Sequence, residues 1–262
     1  MSALTKENIH LEETIGKLNE EKKSITEKLN LAKNNKVKLQ NDGQIKYDIS
    51  HFKQQSQVVW GPIQDDEALL LYGLMKSLRP KTLIEFGFGH GASSTNFLKA
   101  LDSDAKMFTY DIEILNKNAP AFNDSRFKFI LKSQTEFNPE DFENRTIDVA
   151  YLDNGHYFEK EKILFPKLIP KMSKTGIILI HDTGLHVNDI VKGTCACDFP
   201  DLCGVLHCPP EREFVNWIGD NYPEWQIINI HSFILYRHGL TILQRKYKLS
   251  IEATASDKCR YA

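Results

Sequence analysis

The arrangement of apolar runs constrains the fold of this chain more than any other feature. Five short runs with strand composition are TLIEFG (82–87), KMFTYDI (106–112), FKFIL (127–131), DVAYLD (148–153) and GIILIHD (176–182). Helical patterning fills stretches around and between them, at 65–78, 92–101 and 158–172. Uninterrupted apolar strands that alternate with helices indicate a parallel sheet covered on both faces.

Two further strand-like runs end the patterned region, WQIINIH (225–231) and SFILYRH (232–238). Almost no loop separates them, whereas a crossover between parallel strands needs about a dozen residues or more. These runs are therefore predicted to pair antiparallel. The predicted fold is α/β, a Rossmann-like doubly wound seven-stranded sheet, parallel with a reversed terminal strand, within 58–250.

The first 40 residues have a different pattern, an apolar residue at every seventh position. The repeat consists of Leu4, Leu11, Leu18, Ile25, Ala32 and Leu39. Ile15 and Leu29 occupy companion positions of the heptad, and Asn8, Lys22 and Lys36 are polar companions that restrict register. A coiled coil over 1–40 that makes the chain a homo-oligomer is predicted; a lone solvated helix is the alternative. Residues 41–57 are predicted as a linker and 251–262 as a tail.

Charge and composition exclude several classes of partner. A net charge of −2 over 262 residues gives no reason to expect binding to a nucleic acid or an anionic membrane. No apolar run approaches the roughly 20 residues that span a bilayer. The polar start MSALTKENIH is unlike a signal peptide. A cytoplasmic location is therefore expected.

A glycine-rich turn follows the first strand. Glu85 lies on the strand, and Gly87, Gly89 and Gly91 follow at alternate positions before a predicted helix. Ligands of open α/β sheets bind outside the carboxyl ends of the strands. Glycines let the backbone pass close to a ligand, and the helix N-terminus offers free N–H groups. The spacing E-x-G-x-G-x-G differs from the dinucleotide fingerprint G-x-G-x-x-G.

This turn and the strand order resemble those of class I S-adenosylmethionine-dependent methyltransferases. The resemblance implies that Glu85 faces the amino end of S-adenosylmethionine and that the glycines contact its adenosyl and methionine parts. It assigns the ribose hydroxyls to Asp111, with Glu113 as the alternative, at the end of the second strand. Adenine contacts fall to Ser133 and Gln134, after the third strand.

Acidic and histidine side chains cluster at the ends of the fourth and fifth strands. Asp153 and His156 follow one strand, and His181 and Asp182 follow the other. Carboxylates a few ångströms apart repel unless a proton or a cation lies between them. A hard divalent ion held by carboxylate oxygens satisfies that requirement.

The D-x-x-H and H-D motifs resemble a branch that methylates sugar hydroxyls, including mycinamicin-type O-methyltransferases. The resemblance implies that Asp153 and Asp182 bind the metal and that His156 is the general base. His181 departs from this branch, which has a carboxylate there. That branch binds Mg; if His181 ligates, its softer nitrogen makes Mn or another transition ion more plausible. His181 can also remain outside the coordination shell.

A long loop at 184–214 follows the fifth strand and suits a lid or an acceptor-binding element. It holds Cys195, Cys197, Cys203 and Cys208, whose spacing matches no standard zinc site, so reduced thiols or zinc ligands remain alternatives. Its HCPPERE segment, with His207, Glu211 and Arg212, suits recognition of hydroxyl groups.

The sequence therefore predicts a divalent-metal-dependent O-methyltransferase for a sugar hydroxyl on a glycan or a glycosylated small molecule. Asp153 and His156 are the predicted catalytic residues. A catechol-like or other small-molecule acceptor is one alternative, and a non-catalytic coiled-coil scaffold is another. The intact set of acidic residues argues against the scaffold.

Overall fold

The computed structural model describes residues 20, 22–26, 63, 65–155, 157–184, 210–231 and 239–247. By internal contacts the chain divides into two units, Met1–Tyr47 and Asp48–Ala262. In the first unit residues 22–26 are helical, and Ile25 of the heptad repeat is 60% exposed. The remainder of the predicted coiled coil, the linker up to residue 57 and the tail at 251–262 lie outside the described residues.

Seven strands form one sheet in the second unit. They are β1 (Thr82–Phe86), β2 (Lys106–Asp111), β3 (Phe127–Leu131), β4 (Ile147–Leu152), β5 (Met172–His181), β6 (Trp225–Ile230) and β7 (Leu240–Arg245). Their order across the sheet is β3-β2-β1-β4-β5-β7-β6. Strand β7 runs antiparallel to both of its neighbours, and the pairs among β1–β5 are parallel. The predicted Rossmann-like α/β sheet with one reversed strand is confirmed.

Four α-helices accompany the sheet in the described part of the chain. They are α1 (Asp65–Leu78), α2 (Ala92–Ala100), α3 (Phe158–Leu168) and α4 (Pro210–Asn221). The helix predicted at 158–172 is shorter because a 3₁₀ turn takes over at Ile169–Lys171, and β5 starts at Met172 instead of 176. Within the described residues, no helix combines the length and apolar character needed to cross a membrane.

The apolar core lies on both faces of the sheet. Ile84 and Phe86 of β1 belong to one buried cluster, which includes Phe165 of α3. Leu83 belongs to the other cluster, which includes Phe97 of α2. Because side chains of a strand alternate between faces, burial on both faces explains why β1 has apolar residues at adjacent positions, Leu83 and Ile84.

The terminal pair of strands was predicted in the correct orientation but with one strand misplaced. β6 pairs along its whole length with β7, from Trp225 opposite Arg245 to Ile230 opposite Leu240. The run predicted as its partner, 232–238, lies outside the described residues. Both 232–238 and 240–245 have strand composition, so composition alone did not distinguish them.

Candidate active site

The glycine turn between β1 and α2 has a left-handed backbone at its three glycines. Gly87, Gly89 and Gly91 have φ of 99°, 50° and 82°. A Cβ built on Gly87 would lie 2.0 Å from the carbonyl oxygen of Asp153, so a side chain there is sterically excluded. A Cβ on Gly89 would meet no atom within 4 Å. Position 89 therefore borders free space, as close passage of a ligand along the backbone requires.

Asp111 binds this turn with its side chain. One carboxylate oxygen accepts hydrogen bonds from the backbone N–H groups of Phe88 (2.7 Å) and Gly89 (3.1 Å), and the other accepts from Ile112 (2.7 Å). The acid at the end of β2 thus fixes the position of the turn after β1. Glu113, the alternative candidate, is exposed.

Glu85 is fully buried, and the structure encloses its carboxylate among hydroxyl groups. It accepts hydrogen bonds from Ser93 (2.5 Å), from Ser94 and from Thr109 (2.7 Å). Burial raises the pKa of Glu85 to about 7, against the opposing effect of the three hydroxyl donors; the charge of Asp153 adds to the increase. In this arrangement Glu85 joins β1, α2 and β2.

Ser133 and Gln134 are occupied by local contacts after β3. The hydroxyl of Ser133 accepts a hydrogen bond from the N–H of Thr135, and the carboxylate of Glu136 accepts one from the N–H of Ser133, which forms a capping box. Gln134 is buried, and its amide donates to Glu161 at 3.4 Å.

The ends of β4 and β5 bring Asp153, His181 and Asp182 together, as the sequence predicts. His181 Nδ1 lies 3.0 Å from Asp153 Oδ1 and 3.4 Å from Asp182 Oδ1. One ligand atom from each residue lies within 4.8 Å of the others. Asp182 has φ of 57°, a strained conformation for a non-glycine residue that recurs at functional sites.

Sequence reasoning missed Glu67, which lies in the first turn of α1. Its Oε2 is 3.1 Å from His181 Nε2, and its Oε1 accepts a hydrogen bond from the N–H of Gly239 at 2.8 Å. Acidic residues are common in the first turn of a helix, so nothing in the local sequence distinguished Glu67 from an ordinary helix-start residue. The hydroxyl of Tyr151 also donates to Asp153 at 3.2 Å.

The charges around His181 favour its cationic form. Burial acts to lower the pKa of His181, but the negative charges of Asp153, Asp182 and Glu67 raise it well above its usual value. A proton on the imidazole can thus offset the repulsion between these carboxylates.

The same residues fit a divalent cation. Two carboxylates and one imidazole nitrogen converge, and the second nitrogen of His181 contacts the carboxylate of Glu67. Histidines that bind metals usually donate their other N–H to a carboxylate or a carbonyl in this way.

This region also includes predicted residues that the structure does not describe. His156, His207 and the four cysteines Cys195, Cys197, Cys203 and Cys208 lie outside the described residues. Glu211 and Arg212 are described at the start of α4, where Glu211 is buried and Arg212 donates to the carbonyl of Gly184 at 2.6 Å.

Residues 84–183, which run from the middle of β1 to just after β5, match a family described as "Methyltransferase domain". This match confirms the prediction that the chain contains an enzyme domain of the methyltransferase class. An uncharacterized protein of Sinorhizobium fredii is 25% identical over 126 residues, which make up 42% of this chain and 14% of that protein. The chain thus spans only a small part of this curated relative.

Solved structures share the fold at low sequence identity. Cofactor-bound Rv0187 from MTB has a TM-score of 0.54 and 12% identity, with 73% of this chain and 85% of that chain covered. The O-methyltransferase TomG from Streptomyces achromogenes, in complex with SAM, has a TM-score of 0.52 and 14% identity, with 78% of this chain and 92% of that chain covered. A Staphylococcus aureus protein provisionally named a caffeoyl-CoA O-methyltransferase has a TM-score of 0.53 and 15% identity, with 82% of this chain and 100% of that chain covered. These similarities establish the fold.

Proposed function

We propose that this protein is an S-adenosylmethionine-dependent and divalent-metal-dependent O-methyltransferase that acts on a sugar hydroxyl. The observation that carries the proposal is the contact between Gly87 and Asp153: a Cβ on the glycine would lie 2.0 Å from the aspartate carbonyl. The turn expected to hold the methyl donor therefore adjoins the acidic cluster expected to hold the acceptor. Transfer between two bound groups needs such adjacency.

The residues around the glycine turn fit S-adenosylmethionine. Gly89 borders open space, and Asp111, at the end of β2, is only partly buried. Its carboxylate can accept bonds beyond those from Phe88 and Gly89, because each oxygen has two lone pairs. Neighbours of the same fold are bound to SAM or SAH in their own structures.

Asp153 and Asp182, with His181 as a further candidate, are proposed to hold a divalent ion, Mg or Mn. A bound cation would lower the pKa of an alcohol and help to align it. Glu67 contacts His181 Nε2 at 3.1 Å and thereby orients the ring that faces both aspartates. His156 follows Asp153 by three residues and is proposed to accept the proton of the attacking hydroxyl.

The proposed sugar specificity rests on the D-x-x-H and H-D motifs, which resemble those of the sugar O-methyltransferase branch. An acceptor screen tests it. The full chain would be incubated with labelled S-adenosylmethionine and a panel of nucleoside-diphosphate sugars, glycan ends and catechols. Label transfer to a sugar supports the proposal, and transfer only to catechols contradicts the acceptor class.

Removal of metal ions by a chelator tests whether the activity depends on a divalent cation. Activity should disappear in EDTA and return with Mg²⁺ or Mn²⁺. Asp153→Ala and Asp182→Ala should lose metal binding by calorimetry together with activity. The matched control is Asp104→Ala, which removes an acid that is 67% exposed and pairs with Lys81. Full activity after exhaustive chelation would exclude the metal.

Replacement of His156, the proposed general base, should change turnover without changing cofactor affinity. His156→Ala should lower turnover by about 10²–10⁴-fold, the usual effect of removing a general base. Its affinity for S-adenosylmethionine should stay near that of the wild type, since the residue is assigned to the acceptor side. Unchanged turnover would remove His156 from the mechanism.

A further inference from the structure

Glu67 is a buried partner of the histidine that faces both aspartates. The residue is 8% exposed and lies in the first turn of α1, whereas His181 ends β5, so their contact joins a helix to the sheet. Glu67 Oε2 lies 3.1 Å from His181 Nε2. The other ring nitrogen, Nδ1, lies 3.0 Å from Asp153 Oδ1 and 3.4 Å from Asp182 Oδ1. The ring thus has one carboxylate on its Nε2 side and two on its Nδ1 side.

The carboxylate of Glu67 determines which nitrogen of His181 carries a hydrogen. A carboxylate only accepts hydrogen bonds, so the ring nitrogen beside it must be an N–H donor. An imidazole that binds a metal is neutral, and the hydrogen bond made by one of its nitrogens leaves the lone pair of the other for the metal. When Nε2–H donates to Glu67, the lone pair lies on Nδ1, the nitrogen that faces Asp153 and Asp182.

A second hydrogen bond fixes the orientation of the Glu67 carboxylate. Its Oε1 accepts from the backbone N–H of Gly239 at 2.8 Å. One oxygen therefore contacts the ring of His181, and the other contacts the chain just before β7. Because turning the carboxylate would leave a buried donor without its acceptor, which is costly, the side chain is held in position against the ring.

We propose that Glu67 is a positioning residue that makes His181 a metal ligand through Nδ1. The ligands are then one nitrogen and two carboxylates, from His181, Asp153 and Asp182. Such a set favours Mn²⁺ or another transition ion over Mg²⁺, which prefers oxygen ligands. This inference rests on the proposed function, because it assumes that a divalent ion binds at the two aspartates. It adds the part played by α1 and the preference among ions.

The spectrum of bound Mn²⁺ reports its ligands directly. The full chain would be loaded with Mn²⁺ in the absence of cofactor, and electron spin echo envelope modulation would detect nitrogen bonded to the ion. The wild-type protein should show this nitrogen modulation. Bound Mn²⁺ without nitrogen modulation would overturn the inference, while the metal dependence of the proposed function would stand.

Glu67→Gln tests the carboxylate with almost no change of shape. The N–H of Gly239 needs an acceptor, so the new amide oxygen should face it and the NH₂ group should face Nε2 of His181. Nε2 must then accept, the hydrogen moves to Nδ1, and the ring no longer ligates. The variant should lose the nitrogen modulation and bind Mn²⁺ about 10–100-fold more weakly, the usual cost of losing an outer partner of a metal ligand. Its affinity for Mg²⁺, measured by competition, should fall much less, because the two aspartates remain.

Asp66→Asn is the matched control, because it makes the same change from acid to amide at the exposed neighbouring residue. Asp66 Oδ1 accepts from the N–H of Glu67 at 2.9 Å, and an amide oxygen can keep that bond. The control should bind both ions as the wild type does. Nitrogen modulation that survives in Glu67→Gln, or an equal loss of affinity for Mn²⁺ and Mg²⁺, would indicate a purely structural role and overturn the inference. Absence of binding of either ion to the wild type would overturn the inference and the proposed metal dependence together.

Discussion

The carboxylate of Asp111 has two tasks in the proposed enzyme, to hold the glycine turn and to bind the ribose. Asp111→Ala should weaken S-adenosylmethionine binding by about 1.5–3 kcal/mol, as expected for hydrogen bonds to a charged group. Calorimetry measures this directly. Glu113→Ala, which changes the exposed alternative two residues later, is the matched control and should bind as the wild type does. Tight binding by Asp111→Ala would refute the assignment.

The buried carboxyl of Glu85 makes stability depend on pH. Its pKa is about 7 in the folded protein, against 4.5 for an ordinary glutamate. The folded state therefore binds this proton more tightly than the unfolded state does, so its stabilising contribution is complete below pH 4.5 and is lost as pH rises through 7. The loss amounts to about 3 kcal/mol.

Glu85→Gln removes this dependence. Urea unfolding at pH 5 and pH 7.5 should show a smaller decrease in free energy for the variant than for the wild type. A residual decrease is expected in both proteins from Glu161, whose pKa is raised to about 8. Parallel pH profiles for the two proteins would mean that Glu85 is ionised with an ordinary pKa.

At the scale of elements, the turn between β1 and α2 contains two glycines with different constraints. Gly87→Ala forces a Cβ against the backbone of Asp153 and should cost about 3 kcal/mol or more of unfolding free energy. Gly89→Ala meets open space and should cost only about 1 kcal/mol, for the left-handed backbone. However, its methyl group enters the proposed ligand space, so binding of S-adenosylmethionine should weaken at least about tenfold.

Denaturant titration and calorimetry on both variants check this pair. A Gly89→Ala protein that binds cofactor as tightly as the wild type would show that the ligand does not pass along this turn. A Gly87→Ala protein of normal stability would contradict the close approach to Asp153.

Most strands of the sheet could be predicted from the sequence because burial on both faces favours apolar residues at adjacent positions. All five residues of strand β1 are buried, and its apolar residues Leu83, Ile84 and Phe86 do not alternate with exposed polar ones. The start of β5 was missed because Ser173, Lys174 and Thr175 are polar and only partly buried or exposed. Strand β7 was misplaced because the preceding run, 232–238, is equally apolar; Gly239, with φ of 99°, precedes the observed strand.

The site was predictable only where residues follow strands directly. Asp153, His181 and Asp182 lie at strand ends, and the topology alone brings them together. Glu67 and Glu161 each lie in a first helical turn, where acids usually interact with the helix dipole and solvent. Their burial depends on how α1 and α3 pack, which no local pattern encodes.

At the scale of the whole molecule, the heptad repeat predicts assembly. Ile25, in the described part of that segment, is 60% exposed in the single chain. Deletion of residues 1–40 should lower the mass measured by light scattering, because an apolar seam gains stability by burial against another copy. The shortened protein should still bind S-adenosylmethionine. An unchanged mass would assign assembly to the remaining residues.

The position of β7 has a consequence for synthesis on the ribosome. Of the strands described, β7 is the last in the chain, yet it lies between β5 and β6. Gly239, which precedes β7, donates its backbone N–H to the carboxylate of Glu67, 172 positions away along the chain. Until this segment leaves the exit tunnel, the nascent chain exposes the unpaired edge of β5, and β6 has no partner among these strands. The elements from β1 to β3, which carry the proposed cofactor site, can assemble early, whereas Glu67 of the acidic cluster acquires its contact with Gly239 only after β6 has been synthesised. Such long-range closure favours slow folding and exposes chains stalled before β7 to edge-to-edge aggregation.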